Sequence, residues 1–194
     1  GIVVIQEIFG VNQHIREITD NFSKKGYVAI APALFDRAER DVELDYGPDD
    51  RDKGMATRSR IKWEDSISDI ISARDAVREA GKVGIIGYCF GGTVAWLGAC
   101  KGDFDAASGY YGGGIHEHLD LDMGCPVELH FGAKDQSIPL ENVNLIKTAK
   151  PNIDIYIYDD AAHGFVCNQR PTFHPESAKS ANSRTLDFFR KHIG

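Results

Sequence analysis

Three side chains have the types and order needed for acyl transfer: the thiol of Cys89, the carboxylate of Asp135 and the imidazole of His163. Cys89 stands in Gly87-Tyr88-Cys89-Phe90-Gly91. Apolar Val83, Ile85 and Ile86 precede it, and Gly92, Val94, Ala95 and Leu97 follow at helical spacing. This pattern predicts a strand, a sharp turn and a helix, with the thiol at the apex: a nucleophile elbow with cysteine in place of serine. The flanking glycines admit strained backbone and a close approach of helix to strand. An apex side chain there sits over a helix N-terminus, where amides and macrodipole favour a thiolate and an oxyanion. Alone, G-x-C-x-G describes a buried small thiol on a glycine-rich turn equally well. The downstream residues decide between the two.

Asp135 lies in GAKDQSIP and His163 in AAHGF, each just past an apolar run that reads as a strand. In an open parallel sheet, ligands bind beyond the carboxyl ends of the strands, so all three groups fall on the functional edge. Their chain order, nucleophile then acid then histidine, is that of α/β-hydrolases and not of chymotrypsin or subtilisin. Cys89 would attack an acyl carbon as thiolate, and His163 would act as base and then acid. Asp135 would orient the ring and support its cation. The backbone N–H groups of Phe90 and Ile8 are the expected oxyanion donors. Singly, Asp135 reads as a turn former and His163 as a structural histidine. The trio in this order, each at a strand end, is hard to obtain by accident.

The elements that must position these groups alternate. Ile2 to Ile5 reads as a buried strand. Asn12 caps a helix carrying Ile15, Ile18 and Phe22 on one face, which ends at Gly26. YVAIAP reads as a second strand. Residues 36–62 lack an apolar period and read as a surface excursion or lid with helix around Asp50 to Arg60. Trp63 to Val77 is an amphipathic helix ending near Gly81. Strands at Asp105–Tyr111, Pro126–Phe131 and Ile153–Tyr158 alternate with helices at Leu140–Ala149 and Pro175–His192. This predicts one α/β domain over residues 1–194, a mostly parallel sheet with helices on both faces.

Composition narrows the function classes. The 194 residues are 42% hydrophobic and 26% charged, which suits one globular core. A net charge of −7 argues against nucleic acid or an anionic membrane as main partner. No apolar run approaches a membrane span, and no signal peptide is apparent. Cys89, Cys100, Cys125 and Cys167 show no metal-type spacing, and a reducing cytoplasm with free thiols is the simplest expectation. The chain opens at Gly1 directly on a strand, which suggests a missing N-terminal piece.

QEIFGVN (residues 6–12), GYCFGG, GYYG (109–112), AAHGF and RTLDFF (184–189) together resemble dienelactone hydrolases, the carboxymethylenebutenolidases, from Ile2 to Phe189. The resemblance implies an α/β-hydrolase fold, usually with an N-terminal hairpin that this chain lacks. It also implies hydrolysis of an enol-lactone, dienelactone, to maleylacetate in the breakdown of chlorinated aromatics. No cofactor and no metal are implied, and the expected partner is a small lactone or ester bound by a monomer or weak homo-oligomer. On the matching positions, Cys89, Asp135 and His163 fall on the triad. Glu7 falls on a glutamate that contacts the resting thiol and takes its proton when substrate binds. A carboxylate beside a thiol in an apolar pocket would share a proton in that way.

One departure bears on substrate. The family holds a substrate carboxylate with two arginines, one of them four positions after the histidine. Here that position is Cys167, and the nearest arginine is Arg170. A thiol cannot replace a guanidinium fork. Arg51, Arg58 and Arg60 are candidates for the second, and Tyr110, Tyr111 and Trp63 are candidate pocket walls. The weaker alternatives are a general esterase or thioesterase with less anionic substrates, a non-catalytic reactive-thiol relative, and a metal site built from Cys89, His163 and Cys167. Cys167 could also form a disulfide with Cys89 under oxidation.

Overall fold

The computed structural model describes residues 1–194. Six strands form one all-parallel sheet: β1 (Ile2–Ile5), β2 (Ala29–Ile30), β3 (Gly84–Tyr88), β4 (Ala106–Tyr110), β5 (Val127–Gly132) and β6 (Asp154–Tyr158). Their order is β2-β1-β3-β4-β5-β6. Six helices cover it: α1 (Gln13–Ser23), α2 (Pro48–Arg58), α3 (Trp63–Val77), α4 (Phe90–Lys101), α5 (Leu140–Ala149) and α6 (Pro175–Ile193). Strand order reverses between β1 and β3, so the end of β1 and the elbow after β3 meet at the switch point where such sheets bind ligands. No helix is long and apolar enough to cross a membrane.

The continuous apolar strands follow from burial on both faces. Ile2, Val3, Val4 and Ile5 are fully buried, as are Ile85 and Leu129. α3 and α4 share one face, where Gly98 lets α4 lie against Ile85 and Ile70. α1 and α6 meet on the other, with the Phe22 and Phe189 rings edge-on at 5.8 Å. Beneath α6 lies a buried polar cluster. Thr185 Oγ1 donates to Glu128 Oε1 (2.6 Å) and lies 2.7 Å from the Tyr110 hydroxyl, while Ser108 Oγ donates to the same Glu128 oxygen (2.8 Å). His130 completes it, Nε2 on Thr185 and Nδ1 on the Tyr158 hydroxyl. A buried carboxylate needs such donors, so this cluster ties α6 to the sheet.

Two expectations change in detail. Of YVAIAP only Ala29 and Ile30 pair, because β2 is an edge strand and Pro32 has no N–H to give a ladder. The 36–62 segment does contain a helix, α2, with Pro48 at its start and Asp49 and Asp50 in its first turn. The segment before it is anchored by buried Leu34, Phe35, Val42 and Leu44, and Leu44 N–H donates to Phe9 O (2.9 Å). α2 itself presses on the loop after β1: a Cβ on Gly54 would lie 2.2 Å from Ile8 O.

Candidate active site

Cys89 is the only residue between β3 and α4, and it takes φ 55°, ψ −118°. A side chain in that region is strained and persists only where its surroundings hold it. Its N–H donates to Tyr110 O (3.0 Å), and its carbonyl accepts from Gly92 N–H (2.9 Å). The two motif glycines are demanded by close approach. A Cβ on Gly87 would meet Gly91 O at 1.8 Å, and one on Gly91 would meet Gln6 O at 2.5 Å. Phe90 is the first residue of α4, so its N–H has no intrahelical acceptor. Ile8 N–H, in the turn after β1, has no acceptor within the protein. Cys89, Phe90 and Ile8 line one pocket of about 490 Å³. Two free amides beside a helix N-terminus and a thiol make a place for a negatively charged oxygen.

Asp135 and His163 come together as the sequence order predicts. His163 Nδ1 and Asp135 Oδ2 lie 2.7 Å apart, and the carboxylate accepts there. The other carboxylate oxygen accepts from the N–H groups of Ser137 (2.8 Å) and Ile138 (3.1 Å), which fixes its orientation in the loop after β5. With Nδ1 committed to Asp135, Nε2 is the nitrogen left to exchange a proton with sulfur. Burial alone would depress the basicity of His163. The charge and hydrogen bond of Cys89, with the hydrogen bond and charge of Asp135, overcome it and push the pKa up to about 10. Both neighbours favour the charged ring over the neutral one.

Glu7 is buried at the end of the same switch-point crevice, 1% exposed in its side chain. Its Oε1 accepts from Arg170 Nη1 (3.0 Å) and its Oε2 from the Tyr46 hydroxyl (3.0 Å). Asn12 Nδ2 donates to that hydroxyl (3.1 Å) and to Leu44 O (3.2 Å), while Asn12 Oδ1 caps α1 through Ile15 N–H. Glu7 makes no hydrogen bond to Cys89, so the resting contact implied by the resemblance is replaced by a pair with Arg170. Burial works against the Arg170 charge, but Glu7 outweighs it and holds the guanidinium more basic than usual.

Arg170, which the sequence offers only as the arginine nearest the expected position, lines the pocket beside Cys89 and His163. The signal was Gly164, directly after the histidine. Its φ is +77°, and a Cβ there would lie 2.4 Å from Arg170 Nη1. Cys167 is fully buried and lies beside Glu7 and His14, so the four-residue spacing brings no cation here. All four cysteines are free.

The remaining expectations divide. Trp63 and Arg58 are in the pocket wall, and Arg51 joins them. The Arg58 guanidinium stacks over the rings of Trp63 (4.1 Å) and Phe90 (4.4 Å), and Nη1 donates to Ile61 O (2.7 Å). Arg60 is corrected: it leaves the end of α2 pointing outward, exposed, and pairs with Glu39 at 3.3 Å. Tyr110 is also corrected. It is fully buried, stacked on His130, with its hydroxyl in the Thr185 cluster. Tyr111, with φ 39°, is buried behind the histidine, its ring 4.9 Å from the His163 ring and its hydroxyl unpartnered. It backs His163 and does not line the pocket.

The model of the dienelactone hydrolase family matches residues 1–193. A carboxymethylenebutenolidase from Pseudomonas putida is 34% identical over 96% of this chain and 84% of its own length. A provisionally named carboxymethylenebutenolidase from Synechocystis sp. is 33% identical over 99% of this chain and 86% of its own. Among solved structures, a provisionally named dienelactone hydrolase from Klebsiella pneumoniae superposes with a TM-score of 0.86 at 29% identity, covering 98% of this chain and 86% of that one. With the six-strand parallel sheet and its elbow, these matches establish the fold as an α/β-hydrolase and the chain as a hydrolase that belongs to the dienelactone hydrolase family.

Proposed function

We propose that the protein opens small lactones or activated esters through Cys89, His163 and Asp135, by way of a thioacyl-enzyme. The observation that carries this reading is the strained Cys89 at the head of α4, sharing a pocket with a histidine already bonded to a buried carboxylate. The thiolate attacks the acyl carbon; the sulfur–carbon bond forms as the carbon–oxygen bond breaks, and the leaving oxygen takes the proton from His163. Water then attacks the thioester, giving its proton back to His163 and releasing a carboxylic acid and the thiolate. The N–H groups of Ile8 and Phe90 hold the oxyanion in both steps. A thiolate suits an enolate leaving group better than an amine, which favours an enol-lactone of the dienelactone type; the Pseudomonas putida relative is named a carboxymethylenebutenolidase.

The cations support an anionic substrate. Arg51, Arg58 and Arg170 all border the pocket. Glu7 neutralises Arg170 at rest, and a substrate carboxylate arriving at Arg170 would share that guanidinium with Glu7. The test is hydrolysis of dienelactone and p-nitrophenyl acetate by the reduced protein. Turnover of both, with the carboxylated lactone preferred, is expected; turnover of neither with Cys89 intact refutes the reading. A clear preference for uncharged esters selects the general esterase instead, which the loss of the arginine at position 167 favours.

A further inference from the structure

We propose that Glu7, His14 and Cys167 form a second site, for a thiophilic divalent cation such as Zn²⁺, set behind the pocket wall. One ligand atom from each lies within 4.8 Å of the others, and all three residues are buried, at 1%, 5% and 0% exposure. Three separate segments converge to make it: Glu7 follows β1, His14 is in the first turn of α1, and Cys167 is in the loop after His163. A second observation is independent of that spacing. His14 Nε2 is buried with no hydrogen-bond partner. A buried polar atom left unpaired is costly, and a ligand that satisfies it accounts for the cost.

The donor set selects the ion. One thiolate, one imidazole and one carboxylate suit zinc, while calcium and magnesium require oxygen ligands. Tetrahedral zinc bonds of about 2.0–2.3 Å place donor atoms roughly 3.5 Å apart, so small side-chain movements close the trio on an ion and leave the fourth position to water. On binding, the Cys167 S–H bond breaks, a sulfur–metal bond forms, and the proton leaves to solvent. Glu7 already accepts from Arg170 and Tyr46, and each carboxylate oxygen keeps a further lone pair for the ion. The way in passes Arg170, whose side chain is 18% exposed on the pocket side. Turning Glu7 toward a cation loosens its hold on Arg170, so hydrolysis falls as the site fills. That consequence rests on the function proposed above; the binding itself does not.

The test uses Co²⁺ as a coloured substitute for Zn²⁺ on the full, reduced chain carrying C89S, so that the pocket thiol cannot contribute. One equivalent is expected to give a sulfur-to-cobalt charge-transfer band that Zn²⁺ abolishes. H14Q and C167S should each weaken binding by at least about tenfold. H14Q keeps the thiol, so it remains decisive if C167S fails to fold. No band, or a band that H14Q leaves unchanged, overturns the site. Either result is independent of whether the wild-type chain hydrolyses an ester, which keeps this failure distinct from failure of the proposed activity.

Discussion

Replacing Arg170 by Met strands the Glu7 carboxylate in a place that excludes water. Removing one partner of a buried ion pair costs about 3–5 kcal/mol, chiefly because the other charge is left uncompensated. Arg170 keeps 18% of its side chain exposed and Tyr46 still donates to Glu7, so the cost should fall near the lower limit, about 3 kcal/mol. In a chain this long, 1 kcal/mol moves the melting temperature by about 2–4 °C, so R170M should melt roughly 6–12 °C lower. Adding E7Q removes the stranded charge. The double variant should therefore regain about 2 kcal/mol over R170M, read by urea unfolding at neutral pH. If R170M is as stable as the parent, or the double variant is no better than R170M, the pair is not the buried electrostatic unit described here.

Three further outcomes follow from the geometry. His163 titrates near 10 in the fold against an ordinary 6.5, so its protonation stabilises the protein fully below about 6.5 and ceases to as pH rises through about 10. Removing the sulfur charge with C89A should bring the His163 titration, followed by NMR, down from that value; an unmoved curve would deny the thiolate–imidazolium pair. G54A should lower kcat by about a hundredfold while leaving the chain folded, since the new Cβ 2.2 Å from Ile8 O must displace the oxyanion loop. A kcat equal to that of the parent would remove Ile8 from the oxyanion site. T185V should cost about 1–3 kcal/mol in urea unfolding with little change in kcat, because Glu128 loses a donor far from the pocket.

The fold was legible because it is built on strong local signals. The apolar runs of β1 and β3, the Asn12 cap, and the 3.6-residue period of α3 each declare themselves in sequence. β2 was overdrawn since apolar character cannot report that a strand has one neighbour and a proline at its end. The elbow glycines tell of close approach, and the 1.8 Å and 2.5 Å that a Cβ on Gly87 or Gly91 would face make it a necessity. Tyr110 and Tyr111 were ambiguous for a simple reason. Residues at a strand end share one neighbourhood in sequence, yet a buried Thr185, 75 positions away in α6, decides where the Tyr110 hydroxyl points. Arg170 was obscured by a shift of register in the loop after His163, where Gly164 rather than the spacing admits the guanidinium. The Glu7–Tyr46–Asn12 chain depends on residues 39 and 34 positions apart, and no local pattern encodes it.

The thioacyl-enzyme is the claim from which the rest descends, and it can be weighed. Acid quenching during turnover of p-nitrophenyl acetate, followed by peptide mass spectrometry, should find one acetyl group on Cys89 and on none of Cys100, Cys125 or Cys167. C89A should show neither adduct nor turnover. Hydrolysis that continues undiminished in C89A, with no acylated sulfur in the parent, would contradict the account.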